Sequence, residues 1–204
     1  MKSHLWFNHC NMNVTFYEIN NNMAFWKKFF KNIDMVDHYS KSSSVEEEYL
    51  VEDILLIKHL ENKGNYTDIY ISKGKNINLY ELEKLCDSVG WVRRPLKKVK
   101  TAIDHSFITI CLFYKHNQNK KLIGFARATS DMVFNATIWD VVIHPNFQGK
   151  GLGKALMDQI ILQLRYADIS TITLFADPQV VSFYRNIGFI TDPDGVKGMF
   201  WYPR

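Results

Sequence analysis

Residues 141–154 read VVIHPNFQGKGLGK. A β-rich run ends at Pro145, a glycine-dense turn follows, and an amphipathic helix begins. Glycines remove the Cβ atoms that would keep a ligand away, so backbone N–H groups can converge on an anion. The helix N-terminus adds its partial positive charge. Such a corner suits a pyrophosphate. Two common phosphate loops do not fit it. A nucleoside-triphosphate loop of the Gly-x-x-x-x-Gly-Lys-Ser/Thr type would need a glycine at Gln148 and a hydroxyl at Ala155. A dinucleotide fingerprint needs Gly-x-Gly-x-x-Gly within a βαβ unit, whereas Gly149, Gly151 and Gly153 are spaced Gly-x-Gly-x-Gly and no such unit opens the chain.

Outward from this corner the chain alternates between the two hydrophobic periods. Leu152, Ala155, Leu156, Ile160 and Leu164 form a helical stripe over 151–167. Before the loop, 106–114 (SFITICLFY), 121–129 (KLIGFARAT) and 136–143 (ATIWDVVI) read as strands, the first two joined by a hairpin turn at 116–119. Residues 68–72 (DIYIS) predict an earlier strand, 79–89 a helix stopped by Gly90, and 96–104 a helix that starts just after Pro95. After the loop helix come a strand at 171–176 (TITLFA), a helix at 179–186 and a closing aromatic segment that reads as a strand. The order β-α-α-β-β-β-α-β-α-β predicts an α/β sandwich around a mixed, largely antiparallel sheet. Residues 1–65 read as an N-terminal extension and 66–204 as the domain. In the extension, 23–31 (MAFWKKFFK) is a short basic, aromatic amphipathic segment. Ser44-Val45-Glu46-Glu47 has capping-box spacing, which predicts a helix carrying Leu50, Ile54, Ile57 and Leu60 and ending by Gly64.

Composition narrows the classes. Of 204 residues, 47% are hydrophobic and 23% charged, which is globular and excludes a disordered or collagen-like chain. A net charge of +4 is too small to nominate nucleic acid as a partner. Cys10, Cys86 and Cys111 form no CxxC pair and the histidines are scattered, so reduced thiols and no metal site are expected. The longest aliphatic runs fall far below the ~20 apolar residues of a membrane span. The N-terminus has neither the order of a secretory signal nor the composition of a transit peptide.

The stretch Gln148-Gly149-Lys150-Gly151-Leu152-Gly153 is similar to Gln/Arg-x-x-Gly-x-Gly/Ala, the acetyl-CoA signature of the GNAT N-acetyltransferases. The strand before it, the helix after it and Phe183-Tyr184-Arg185-Asn186-Ile187-Gly188-Phe189, which resembles the family's Phe-Tyr-x-x-x-Gly-Phe, stand in GNAT order. The resemblance spans 66–204 and implies the GNAT fold. Stretches such as GWVRRPLKKVK, LFADPQVVSFY and DPDGVKGMFWYP resemble the plastid and cyanobacterial branch. That branch holds serotonin N-acetyltransferase-like enzymes, chloroplast protein acetylases and plastid-encoded frames of red algae.

The resemblance implies acetyl-CoA as co-substrate and direct transfer to an amine in a ternary complex. Val141, Val142 and Ile143 would lie along pantetheine where their strand splays from its neighbour, with the Val142 N–H at the oxyanion. Gln148, Gly149, Lys150, Gly151, Leu152, Gly153 and Lys154 would hold the pyrophosphate, Lys154 as a point cation or simply as a solvated helix-start lysine. Asp177, Pro178 and Gln179 complete the expected CoA-binding set. Tyr184 aligns with the general acid that protonates the departing thiolate. Phenol and thiol pKa values of ~10 and ~8.5 make that transfer feasible. The family's usual strand Glu falls at about Thr137, so its base does not carry over. Asp177 is the substitute, either as a base through water or as the cap of the helix starting at Pro178. Asp140 is the second candidate, although beside Arg127 a structural ion pair is expected.

Phe134, Trp139, Phe200 and Trp201 are candidates for an aryl pocket or ordinary core. Arg93, Arg94, Lys97, Lys98 and Lys100 border the expected acceptor side or form a solvated helix face. Acceptors consistent with this reading are an arylalkylamine such as serotonin, a protein lysine or an N-terminal amine, and a homodimer stays open. The competing reading is a CoA-binding interaction module without turnover. The branch points to plastid stroma, with bacterial cytoplasm as the alternative.

Overall fold

Six strands hydrogen-bond in the order in which they follow along the chain. They are β1 (Ile54–Asn62), β2 (Asn65–Lys73), β3 (Ile108–His116), β4 (Asn119–Ser130), β5 (Asn135–Ile143) and β6 (Thr171–Leu174). This is a computed structural model, and it describes residues 53–117 and 119–202. Every neighbouring pair is antiparallel except β5–β6, which is parallel. A parallel pair needs a long crossover, supplied here by α3 (Leu152–Tyr166). The other helices are α1 (Leu79–Ser88), α2 (Leu96–Asp104) and α4 (Val181–Asn186). The expected mixed, largely antiparallel α/β fold is present.

The helices cover the two faces of the sheet. Asn78 caps α1, its side chain accepting from the N–H groups of Tyr80 (3.0 Å) and Glu81 (3.2 Å). Leu82 and Leu85 of α1 and Ile103 of α2 then pack on Cys111, Phe125 and Val142. Ile110, Leu112, Ala126 and Ala128 alternate with those strand residues and are fully buried on the other side. There α3 lays its stripe of Leu152, Leu156, Met157, Ile160 and Leu164, each fully buried. Each such side chain contributes about 1.5–3 kcal/mol of transfer free energy. That seats the N-terminus of α3 firmly at the end of β5.

Two expectations are corrected. The segment 54–62 is a strand, not the end of a helix, and it pairs with β2 through a hairpin whose central residues Lys63 and Gly64 both have positive φ (52° and 80°). The sheet therefore begins N-terminal to the boundary expected at Tyr66. At the other end, 196–202 forms no strand, so β6 is the last in the sheet. The amphipathic segment at 23–31 and the capping box at 44–47 lie outside the described residues. Among the described residues, no helix is long and apolar enough to cross a membrane.

Candidate functional site

The parallel ladder between β5 and β6 runs from Asn135↔Thr171 to Ile138↔Leu174 and stops. β6 ends there while β5 continues to Ile143, so the sheet opens between them. β5 also carries a bulge. Phe125 faces Val142 and Arg127 faces Trp139, so two steps on β4 oppose three on β5, and Asp140 takes φ = 54°. The result is a cleft of about 630 Å³ floored by 138–143. Leu174, Phe175, Asp177 and Tyr184 form one wall, and Val89, Trp91, Val92 and Arg94 from the α1–α2 connection form the other.

The glycine turn lies at the end of this floor. Gly149 and Gly151 have φ of 73° and 78°, and a Cβ at either would meet nothing within 4 Å. The glycines are needed for the left-handed backbone, and the space above them is open. No backbone N–H from 149 to 154 donates to another described residue. These include the orphan donors that any helix N-terminus leaves. A free row of amides with unobstructed approach fits a diphosphate. Leu152 is fully buried and anchors the row, while a Cβ added at Gly153 would meet the Phe183 ring at 3.5 Å. The lysines point elsewhere. Lys150 Nζ donates to the Glu61 carbonyl (2.8 Å), and Lys154 Nζ pairs with Asp158 (2.7 Å).

Hydrogen-bond direction along β5 revises the oxyanion assignment. The His144 N–H donates to the Ile123 carbonyl (2.8 Å), and Val142 faces Phe125. Bonding direction alternates along an antiparallel strand, so the Val142 N–H also faces β4. The N–H groups of Val141 and Ile143 face the opening instead. The Ile143 carbonyl agrees with this, because it accepts from Gln148 Nε2 (2.9 Å) rather than from β4. Val142, expected as the oxyanion donor, therefore turns its N–H towards β4 and not into the opening.

Tyr184 and Asp177 both line the cleft. The Tyr184 ring is held edge-on by Phe183 (5.0 Å) and Phe189 (6.0 Å), and its hydroxyl makes no hydrogen bond to another described residue. Burial raises its pKa above the ordinary phenol value, and the Asp177 charge raises it further. Asp177 accepts the Val180 N–H through its backbone carbonyl (3.0 Å), but its side chain makes no capping bond. Gln179 also lines the cleft and Pro178 does not. Thr137 is occupied in the ladder, its hydroxyl 2.9 Å from that of Thr173. Asp140 forms the expected ion pair with Arg127 (2.6 Å) and a second with Arg94 (3.0 Å).

The aromatic candidates separate. Trp139 packs on Phe175 (5.5 Å) and Phe175 on Phe200 (5.0 Å), a file of rings beside the opening. Phe134 sits in the β4–β5 turn away from the cleft, and Trp201 is 84% exposed. Phe175 escaped the sequence reading because it looks like one more strand residue, yet it follows the last paired rung. Much of the basic cluster is neutralised, Arg93 by Asp87 and Lys100 by Asp104. Burial raises the Cys86 thiol and pushes Cys111 up to about 12, so neither is a thiolate near neutrality.

Comparison with known proteins places this geometry. A model of the acetyltransferase (GNAT) family matches residues 76–189. The chain is 66% identical over 181 residues to the "Uncharacterized N-acetyltransferase ycf52" of Gracilaria tenuistipitata var. liui, covering 89% of this chain and 99% of that one. It is 48% identical to the chloroplastic GCN5-related N-acetyltransferase 2 of Arabidopsis thaliana, covering 76% and 66%. In fold it resembles a GNAT-family acetyltransferase from Streptococcus pneumoniae TIGR4 with a TM-score of 0.54 and 23% identity, covering 67% of this chain and 98% of that one.

Proposed function

Because the chain belongs to the GNAT family of acetyltransferases, we propose that it transfers the acetyl group of acetyl-CoA directly to a primary amine bound in the cleft between β5 and β6. The observation that carries this reading is the continuity of open β5 backbone with the free amides of 149–154. Pantetheine lies along the outward edge of 141–143 and the diphosphate on the amides. The aromatic file favours an arylalkylamine such as serotonin as acceptor over a protein lysine or N-terminal amine. Trp139 and Phe175 offer a pair of apolar rings in the cleft that Asp177 also lines.

The acceptor reaches the site as an ammonium with pKa ~10.4, and freeing its lone pair at pH 7 costs about 4–5 kcal/mol. Asp177 receives that proton through water. The amine nitrogen then bonds to the thioester carbon, and the oxyanion is met by the N–H groups of Val141 and Ile143. As the C–S bond breaks, Tyr184 gives its proton to the CoA sulfur, and the phenolate regains one from the amine nitrogen, whose second proton must leave as the amide forms. The free Tyr184 hydroxyl favours turnover over a silent CoA-binding module. The chloroplastic relative supports plastid stroma as the location.

A thiol-release assay with acetyl-CoA and a panel of tryptamine, serotonin, spermidine, a lysine peptide and a peptide with a free N-terminus tests the reading. Release with the indole amines above the others is expected. Release with none of the panel overturns direct transfer to a primary amine, and preference for the lysine peptide overturns the arylalkylamine assignment.

A further inference from the structure

We infer that Asp140 is a positioning residue that ties the α1–α2 connection to the bulge of β5, fixing the wall of the cleft against which the acceptor lies. Its backbone is the first sign. Asp140 sits at φ = 54°, a left-handed conformation that glycine adopts freely and a residue with a Cβ adopts at a cost. At this bulge the sequence keeps a carboxylate where glycine would be less strained, so the side chain has work that glycine could not do.

That work is visible in its contacts. One oxygen accepts from Arg127 Nε on the neighbouring strand (2.6 Å) and the other from Arg94 Nη1 (3.0 Å). Arg127 and Asp140 are largely shielded, at 13% and 16% side-chain exposure, which strengthens the pair relative to one in open water. Arg127 thus fixes the carboxylate, and the fixed carboxylate holds Arg94. The segment that Arg94 belongs to needs holding. Val92 is 88% exposed, the Trp91 N–H bonds back to Cys86 of α1 (3.2 Å), and Arg93 turns to Asp87 of the same helix. Among the described residues, the Arg94–Asp140 pair is the hydrogen-bonded link from 90–95 to the sheet.

The link meets the sheet at a sensitive point. Asp140 directly precedes Val141, whose N–H faces the opening, and Trp139 on its other side carries the aromatic file. The same residue therefore sets the separation between Trp91 and Val92 on one wall and the outward amides of β5. This inference rests on the transferase reading for its kinetic arm alone.

The test combines Arg94→Gln, Arg94→Lys and Asp140→Asn with hydrogen–deuterium exchange, acetyl-CoA calorimetry and steady-state kinetics on the intact chain. Exchange at 90–95, read at the hydrogen-bonded amides of Gly90 and Trp91, is expected to rise at least tenfold in Arg94→Gln and Asp140→Asn and to return towards wild type in Arg94→Lys, because a single nitrogen makes the contact. The acceptor KM is expected to rise about tenfold, more than kcat falls, with the acetyl-CoA Kd within twofold. Wild-type exchange at 90–95 in Arg94→Gln overturns the inference, as does an unchanged acceptor KM. Arg94→Gln leaves the shielded Arg127–Asp140 pair in place, so it decides the matter even where Asp140→Asn fails to fold. A wild-type protein that releases no thiol with any amine would defeat the transferase reading, and the exchange measurement would still decide the tether.

Discussion

The negative charge of Asp177 acts on Tyr184 in the same direction as burial, holding the phenol in its protonated form. A group whose pKa is raised keeps its proton to higher pH, so the acid side of catalysis should persist beyond the ordinary phenol value of ~10. The kcat–pH profile is therefore expected to show no basic decline below about pH 10. Tyr184→Phe should lower kcat by about 100-fold or more and leave acetyl-CoA affinity within twofold by calorimetry. Wild-type turnover in that variant would remove Tyr184 from the acid role.

Asp177→Asn separates the base from the acid. Without the carboxylate, the amine must lose its proton unaided, and kcat/KM at pH 7 should fall by about 10–100-fold. The deficit should shrink as pH rises towards the ~10.4 of the free amine. The same substitution removes a charge that raises Tyr184, so the basic limb should move to lower pH. A profile parallel to wild type at every pH would show that Asp177 takes no proton.

Much of this arrangement was legible in the sequence, and the reasons for the failures are local. The loop was legible because glycine spacing reports directly on backbone geometry, and φ of 73° and 78° at Gly149 and Gly151 bear that out. α3 was legible because its stripe keeps one helical period, and β3 to β5 because they are β-branched and aromatic runs bounded by turn residues, with β3 and β4 buried over consecutive positions. β1 was misread because it does not. Its register slips twice, and Ile54, Ile57 and Leu60 face Ile71, Ile69 and Thr67, three residues on β1 for every two on β2. Bulges thus space the apolar positions by three, which imitates a helix. The closing aromatic segment shows the reverse error, since strand-like composition says nothing about whether a partner edge is taken. The turning of the Val142 N–H towards β4 depends on register across the sheet, which no single strand encodes.

Gly151 tests the amide row. Asp and Asn tolerate left-handed backbone better than most residues, so both variants should fold with an acceptable strain. Gly151→Asp adds bulk and a negative charge where a diphosphate is expected, and should abolish measurable CoA binding. Gly151→Asn adds the same bulk without charge and should weaken binding less. Equal affinity of Gly151→Asp and wild type would place the diphosphate elsewhere.

Asp131 governs an acid-sensitive part of the frame. Its Oδ1 accepts from the N–H groups of Val133, Phe134 and Asn135 at 3.0, 2.8 and 2.9 Å, closing the turn that leads into β5. Those backbone bonds hold its pKa down to about 2, against an ordinary 3.8. A depressed carboxylate stabilises the fold above its unfolded pKa, and that contribution fades as pH falls from about 4 towards 2. Asp131→Ala should therefore denature at lower urea than wild type at pH 7, with the gap closing across that window. A gap that stays constant to pH 3 would contradict the assignment.

Gly124 of β4 pairs with Ile143 of the cleft floor and links packing to the site. A Cβ there would come within 2.8 Å of Ile143 Cδ1 and 3.1 Å of Leu112 Cβ. The Ile143 methyl end can swing aside, but Leu112 Cβ is fixed by its strand and fully buried. Gly124→Ala should thus overpack the sheet and destabilise it by about 1–3 kcal/mol, seen as a lower denaturant midpoint at unchanged slope. The displaced Ile143 is also the residue whose carbonyl Gln148 holds and whose N–H faces the opening. Acetyl-CoA affinity should accordingly fall in the same variant under conditions where it remains folded. Ser106→Ala is the control: it removes a buried hydroxyl outside the cleft lining that donates to Ala102 (2.7 Å) and accepts from Arg127 at 3.5 Å, and Arg127 keeps its shorter bond to Asp140 (2.6 Å), so it should lower stability without lowering affinity. If Gly124→Ala lost stability but bound acetyl-CoA as wild type does, the floor under Ile143 would have no part in holding the co-substrate.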